Sequence, residues 1–334
     1  MLELTEAEKQ VLIALAELAA RGRPDDGDAL EALGRDCFGA YLVNWSSAYS
    51  RLARRGILEQ RSSGYRIAPA WQALGDLLRA ENPRYLYFYD EFFARAQDSQ
   101  AHAAFCEQVY GRNLCQHGMM DMSQLDMLLD VLDLDKGQRV LELGCGNGMV
   151  AEYISDISRA HLVGIDTSAV GIRQAAERTR RKRARLSFLR ADMRALPFAA
   201  GAFAAAIAID SAYYAGHLEQ WIGWLREVVR GGGHMAVFFS AWARADEPLD
   251  RLQPDQNRLA QALKAHSLRY RTWDFTASEI QHWQRKLQAA TALRAAFEAE
   301  GNAFLYRKRW IEAEYHRPYV EVGRVSRYLY DVEF

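Results

Sequence analysis

The segment VLELGCGNG, residues 140–148, constrains this chain more than any other. A short apolar run reads as a buried strand, and it breaks at once into Gly144-Cys145-Gly146-Asn147-Gly148 before a helical pattern begins. Glycines at such a turn admit positive φ and let a ligand approach the main chain closely. The free N–H groups at the start of the next helix favour an anionic or polar group nearby. The same alternation then continues. The pattern predicts a helix over 148–158, a strand over 161–166, a helix over 168–182, and strands over 186–193 and 203–210. A helix over 218–230, ended by the glycine run 231–233, precedes a strand over 234–242. Alternating strands and helices predict a mainly parallel sheet covered on both faces, with ligands beyond the carboxyl ends of its strands. The tail reads as a strand over 268–275, helices over 277–300 and 302–317, and a last strand over 327–334.

The first 80 residues follow a different pattern. Leu4, Val11, Leu12, Leu15 and Leu18 keep near-helical spacing, with Thr5 as N-cap and Glu8 three residues on. NWSSAYSRLARR (44–55) predicts a second amphipathic helix, and ILEQRSSGYRIA two short strands around a Ser-Ser-Gly turn. A further helix is expected from Pro69 to Ala80. Helices followed by a small hairpin make a winged-helix-like pattern, which suits either DNA reading or dimerisation and closure over a pocket. Residues 1–80 carry 10 basic and 11 acidic side chains. Only Arg51, Arg54 and Arg55 cluster on the candidate reading helix, and a DNA reader should show a basic footprint. The architectural role is therefore preferred over a DNA-binding, ligand-sensing regulator. Domain boundaries are expected at 1–81 (winged-helix-like unit), 82–134 (helical linker and lid) and 135–334 (catalytic domain). NPRYLYFYDEFFAR (82–95) is dense in rings, including Tyr85, Tyr87, Phe88, Tyr89, Phe92 and Phe93. It reads as a packed helix, and one of its rings could face a cationic ligand.

Composition excludes several classes. The 334 residues carry a formal charge of −1, which argues against a nucleic-acid substrate. No run approaches the roughly 18 apolar residues of a membrane span. The N-terminus lacks the basic start of a secretory signal, so a cytoplasmic location and no membrane partner are expected. Cys37, Cys106, Cys115 and Cys145 form no CxxC pair and read as free thiols, and no metal site is expected. The run RTRRKRAR (178–185) reads as a solvated helix end rather than an acidic-partner patch.

Three features accompany the glycine loop. Asp166 ends the second strand, 18 residues after Gly148; Asp192-Met193 follows the third; and Asp210-Ser211-Ala212-Tyr213-Tyr214 follows the fourth. Together, VLELGCGNG, GIDTS and RADMRALPF resemble the class I S-adenosylmethionine-dependent methyltransferases over roughly residues 105–334. The resemblance implies a Rossmann-like α/β fold with a seven-stranded, mostly parallel sheet, here with the N-terminal winged-helix-like domain and a helical lid. It implies S-adenosylmethionine as cofactor, with Gly144, Cys145, Gly146 and Asn147 at its methionine part, and Asp166 and Thr167 at the ribose. Asp192 and Met193 fall at the adenine, and Asp210 near the sulfonium. Tyr214, Ser211, His117 and Tyr110 are the candidate catalytic groups, with Tyr213 and His217 as further candidates and Glu142 as a further candidate for the cofactor. The implied activity is methyl transfer to a small molecule of natural-product type, with a homodimer through the N-terminal domain. The chain also resembles, less closely, the azetidine-2-carboxylic acid synthases of the same fold, which cyclise the cofactor itself and release methylthioadenosine.

Overall fold

The computed structural model describes residues 3–20, 22, 26–27, 30, 45–81, 84–243 and 247–334. Cys37 and the side chains of Tyr85, Tyr87 and Phe88 lie outside the described residues.

The N-terminal elements are α1 (Glu6–Ala20), α2 (Trp45–Arg54), a hairpin of β1 (Leu58–Arg61) and β2 (Gly64–Ile67), and α3 (Gln72–Glu81). Val11, Leu12 and Leu15 of α1 pack with Trp45, Leu52, Ile57 and Ile67 in a core of their own. The capping box forms: Glu8 N donates to Thr5 Oγ1 and Thr5 N to Glu8 Oε2, at 3.3 and 2.7 Å. Glu8 also pairs with Arg51 and Arg55, at 3.1 and 3.6 Å. Two of the three arginines on the candidate DNA-reading helix are thus engaged inside the unit. Helices α4 (Arg84–Ala96), α5 (Gln100–Tyr110) and α6 (Met122–Leu132) lead into the sheet.

The sheet contains β3 (Arg139–Leu143), β4 (His161–Asp166), β5 (Leu186–Arg190), β6 (Phe203–Ile209), β7 (Val229–Trp242), β8 (Arg269–Asp274) and β9 (Val325–Glu333). Its order is β5-β4-β3-β6-β7-β9-β8. The first five strands in that order are parallel; β9 runs antiparallel to β7 and β8. This is the Rossmann-like fold that the motifs implied. Successive residues of β3 point to opposite faces, as the period of a strand requires. Leu141 and Leu143 join the side covered by α9 (Leu218–Val228) and α10 (Arg258–Ala265), and Val140 the side covered by α6 and α7 (Met149–Ser158). Covered on both faces, β6 is apolar at every position and uses alanine at four of its seven. The chain runs outward from β3 through β4 to β5, then returns to β6 beside β3. A crevice therefore opens between the carboxyl ends of β3 and β6, where open sheets of this kind bind ligands.

Four boundaries differ from expectation. The glycines 231–233 lie inside β7, which begins at Val229, and they coincide with a register shift opposite Phe203 and Ala205. They make a bulge rather than a helix stop, since a Cβ on Gly233 would lie 2.6 Å from the Ala204 carbonyl oxygen. The helix expected over 277–300 breaks at Leu293 into α11 (Thr276–Ala292) and α12 (Arg294–Ala299). The next, α13 (Ala303–Glu321), runs on through Pro318. The helix expected over 168–182 ends sooner, as α8 (Ala169–Arg178). In the basic run after it, Arg178 bonds Glu152, Lys182 bonds Glu152 and Asp156, and Arg185 bonds Asp156 and the Ser155 carbonyl. These cations hold the end of α8 against α7.

Candidate functional site

The crevice deepens into a cavity lined by the glycine loop, the ends of β4, β5 and β6, and the segment before α6. Gly144, Gly146 and Gly148 all have positive φ, of 73, 56 and 71°. The main chain there is packed without room to spare. A Cβ on Gly144 would lie 2.6 Å from Ser211 Cβ, and one on Gly146 2.6 Å from Phe93 Cζ. Gly146→Ala is expected to cost about 1–2 kcal/mol from the left-handed backbone alone, before the clash with Phe93. A thermal melt unchanged from wild type would count against that packing.

Asp166 ties the loop to the next strand. Its Oδ2 accepts from Gly146 N and its Oδ1 from Ser168 N, both at 2.8 Å. Burial, with Asp90 nearby, raises its carboxyl above the usual range, against the pull of those two N–H groups. Asp90 on α4 in turn accepts from Ser168 Oγ and Val170 N, at 2.6 and 3.1 Å, docking α4 over the start of α8. Asp166 and Thr167 border the cavity, as do Cys145 and Asn147.

Glu142 is the electrostatic anomaly. It is buried, borders the cavity, and its Oε2 has no hydrogen-bond partner. Burial, reinforced by Asp166, pushes its carboxyl up to about 8. A carboxyl in such a place is neutral at pH 7 until a cation or donor arrives beside it.

The remaining candidates divide. Met193 borders the cavity close to Gly144. Asp192 borders it too, with both carboxylate oxygens engaged by the Arg194 side chain. Ser211 Oγ donates to the Leu143 carbonyl at 2.6 Å and so braces the loop. Tyr214 OH and Tyr89 OH lie 2.6 Å apart at the cavity wall, one from the loop after β6 and the other from α4. His117 stands edge-on to the Tyr89 and Phe92 rings, and burial holds its imidazole well below the usual range, hence neutral. Tyr213 OH instead accepts from Ser240 N, 2.7 Å away.

Two assignments change. Tyr110 does not border the cavity: its hydroxyl donates to the Gly118 carbonyl at 3.0 Å, and its ring packs on Phe105 and His282. It supports the turn that carries His117. Asp210 borders the cavity, but its carboxylate is committed elsewhere. Oδ1 takes Arg327 Nη1 at 2.5 Å, and Oδ2 takes Arg327 Nη2 and Met119 N, at 3.1 and 2.7 Å. Gly118 must be glycine for this, since a Cβ there would lie 2.4 Å from Asp210 Oδ2. Sequence reasoning missed Arg327, whose partner is 117 residues away; Gln116 and Met120 also line the cavity. Among the described residues no cluster of His, Cys, Asp and Glu is placed to hold a metal, and no helix is long and apolar enough to cross a membrane.

Residues 140–233 match the family model described as a methyltransferase domain. Among curated relatives, the chain is 31% identical over 104 residues to the O-methyltransferase rstn1 of Aspergillus nomiae, covering 30% of this chain and 46% of that one. It is 32% identical over 101 residues to the phthiotriol/phenolphthiotriol dimycocerosates methyltransferase of Mycobacterium leprae, covering 30% and 37%. The chain thus spans less than half the length of these relatives. Among solved structures, it superposes on the [4+2]-cyclase SpnF with a TM-score of 0.58 at 17% identity, over 75% of this chain and 94% of that one. It also superposes on the cyclopropane synthase MmaA2 of Mycobacterium tuberculosis with a TM-score of 0.58 at 11% identity, over 74% and 98%. These superpositions speak to the fold.

Proposed function

We propose that the chain transfers a methyl group from S-adenosylmethionine to a small-molecule acceptor, a reading supported by the match of residues 140–233 to a methyltransferase domain. The observation that carries this reading is the glycine loop held open by Asp166, with an unpartnered buried carboxyl, Glu142, behind it. The residues present fit the cofactor. Gly144 and Gly146 border the cavity without side chains of their own, so a ligand can approach the main chain there. Asp166 keeps lone pairs for ribose hydroxyls beyond its two backbone bonds. We assign Asp192 and Met193, which border the cavity, to the adenine, and Glu142 to the α-ammonium group of the cofactor's zwitterionic amino-acid end.

When bound, the cofactor supplies a methyl on a sulfonium, already an activated leaving group. The chain's part is to hold the acceptor in line at roughly 3–3.5 Å and to exclude water. The acceptor's heteroatom supplies the electron pair of the new bond and loses a proton. We assign its acceptance to His117, which borders the cavity and is neutral. The Tyr89–Tyr214 pair closes the wall, its ring faces suited to a cation. Tyr214→Phe is expected to lower turnover several-fold while cofactor affinity changes less than twofold; identical kinetics would make the hydroxyl wall only.

Glu142 offers a test by proton count. Its folded pKa is raised, so below about 8 the free protein carries it protonated. A cation bound beside it favours the ionised form. Cofactor uptake at pH 7 should therefore release a proton, and at pH 9.5, where the group is already ionised, it should not. Calorimetry in two buffers of different ionisation enthalpy reads this, and Glu142→Gln should abolish the release. Release that persists in that variant would place the titrating group elsewhere.

The reaction itself is decided by product. Incubation with S-adenosylmethionine alone should yield neither S-adenosylhomocysteine nor methylthioadenosine, and a competent acceptor should yield the former. Methylthioadenosine without an acceptor would replace methyl transfer with cyclisation of the cofactor.

A further inference from the structure

Behind the Gln116–His117 wall of the cavity lies a buried group of charges that cofactor binding does not use. Lys286 on α11 and Arg309 on α13 are both fully buried. One carboxylate, Glu312, faces the two, 2.8 Å from Lys286 Nζ and 3.9 Å from Arg309 Nη1. The Arg309 guanidinium lies between the Phe92 and Phe105 rings, 5.0 Å from each centroid. Its Nη2 donates to the Gln116 carbonyl at 2.6 Å and approaches His102 Nε2 at 2.9 Å. Its Nε and Nη1 meet no hydrogen-bond acceptor, and neither does Nε2 of Gln116, whose residue borders the cavity. All three are donors, and a guanidinium can only donate. Buried polar groups are normally satisfied, so these three orphaned donors, one at the wall and two behind it, point to an acceptor that arrives with a ligand.

The charge agrees in sign. Lys286 and Arg309 against Glu312 leave a local surplus of one positive charge, and the imidazoles of His102, His117 and His282 stay neutral through burial. Lys308 adds to the positive field at Glu312. Of the other buried carboxyls nearby, Asp210 is balanced by Arg327, and burial pushes Glu279 up to about 7, against the pull of Arg327. The surroundings are otherwise rings: Phe92, Phe105 and Trp283, the last with Lys286 Nζ 4.6 Å from its centroid.

We propose that Arg309, Lys286 and Gln116 bind the carboxylate of an apolar monocarboxylic acceptor, whose nucleophilic end reaches past Gln116 into the cofactor cavity. A single negative charge balances the surplus, whereas a phosphate dianion would leave a dehydrated site net negative. The assignment rests on the methyl-transfer reading above and gives its substrate class.

The test titrates the full chain, with and without saturating S-adenosylhomocysteine, with 1-naphthoate, 1-naphthamide and 1-naphthyl phosphate. Naphthoate should bind at least tenfold more tightly than either of the others. Lys286→Met removes the surplus charge and should cut the preference over the amide to under threefold, with S-adenosylhomocysteine affinity unchanged. Glu312→Gln adds to the surplus and should narrow the gap to the phosphate. The wild-type comparison stands even if a variant misfolds. Equal affinity for naphthoate and naphthamide overturns the proposal, as does a preference that survives in folded Lys286→Met. A loss of S-adenosylhomocysteine affinity in Lys286→Met also overturns it, by assigning the anion site to the cofactor's own carboxylate. Wild-type protein that takes up no S-adenosylhomocysteine would instead sink the methyl-transfer reading, and the carboxylate preference measured without it would remain a separate result.

Discussion

Asp166→Ala is expected to weaken S-adenosylhomocysteine binding by a factor on the order of 100 or more, while the sheet stays folded. The carboxylate has two duties. It would accept the ribose hydroxyls, and it holds Gly146 N at 2.8 Å, keeping the loop open. Hydrogen bonds to a charged group contribute about 1.5–3 kcal/mol each, so losing two or more gives at least that factor. Asp166→Asn separates the duties. The amide oxygen can still accept from Gly146 N, but the charge is gone, so an intermediate loss is expected. Calorimetry with S-adenosylhomocysteine measures both variants, and circular dichroism confirms the fold. An affinity within threefold of wild type for the alanine variant would remove Asp166 from the binding site.

The largest expected effect on stability lies at Arg327. This arginine is fully buried on β9 and joins four elements. It pairs with Asp210 after β6, donates from Nε to Gln124 on α6 at 2.9 Å, reaches Ser240 on β7, and faces Glu279 on α11 at 3.8 Å. Removing one member of a buried pair leaves the other uncompensated, at a cost of about 3–5 kcal/mol. Arg327→Met should therefore lower the midpoint of thermal unfolding by on the order of 10 °C. Asp210→Asn should cost less, since the amide oxygen keeps acceptors for Arg327 and for Met119 N. The double variant should cost less than the sum of the two, because the members act on one network. A midpoint for Arg327→Met within 2 °C of wild type would show that the pair adds nothing to stability.

Much of the fold was legible because its signals are local. The strand-turn-helix of 140–158 announces itself by an apolar run, glycines and a helical pattern within twenty residues. Asp166 was legible for the same reason, as the residue that closes a strand one position over. The capping box of Thr5 and Glu8 spans four residues and formed as read. The errors arose where tertiary contacts outweighed local pattern. The glycines 231–233 looked like a helix stop and became a bulge in β7, where the Ala204 carbonyl leaves no room for a Cβ on Gly233. Tyr110 looked like a pocket residue and turned to the Gly118 carbonyl instead.

By itself the sequence determined the alternation of strands and helices, the open loop between β3 and α7, and the carboxylate that faces it. Each follows from residues a few positions apart, whose backbone preferences and side-chain period act before anything else folds. Which polar groups remain available was decided only in three dimensions. Asp210 is spent on Arg327, while Glu142, Gln116 and Arg309 keep buried atoms without partners. No local rule selects among these, because whether a buried charge is satisfied depends on which distant strand or helix the fold brings within hydrogen-bond reach.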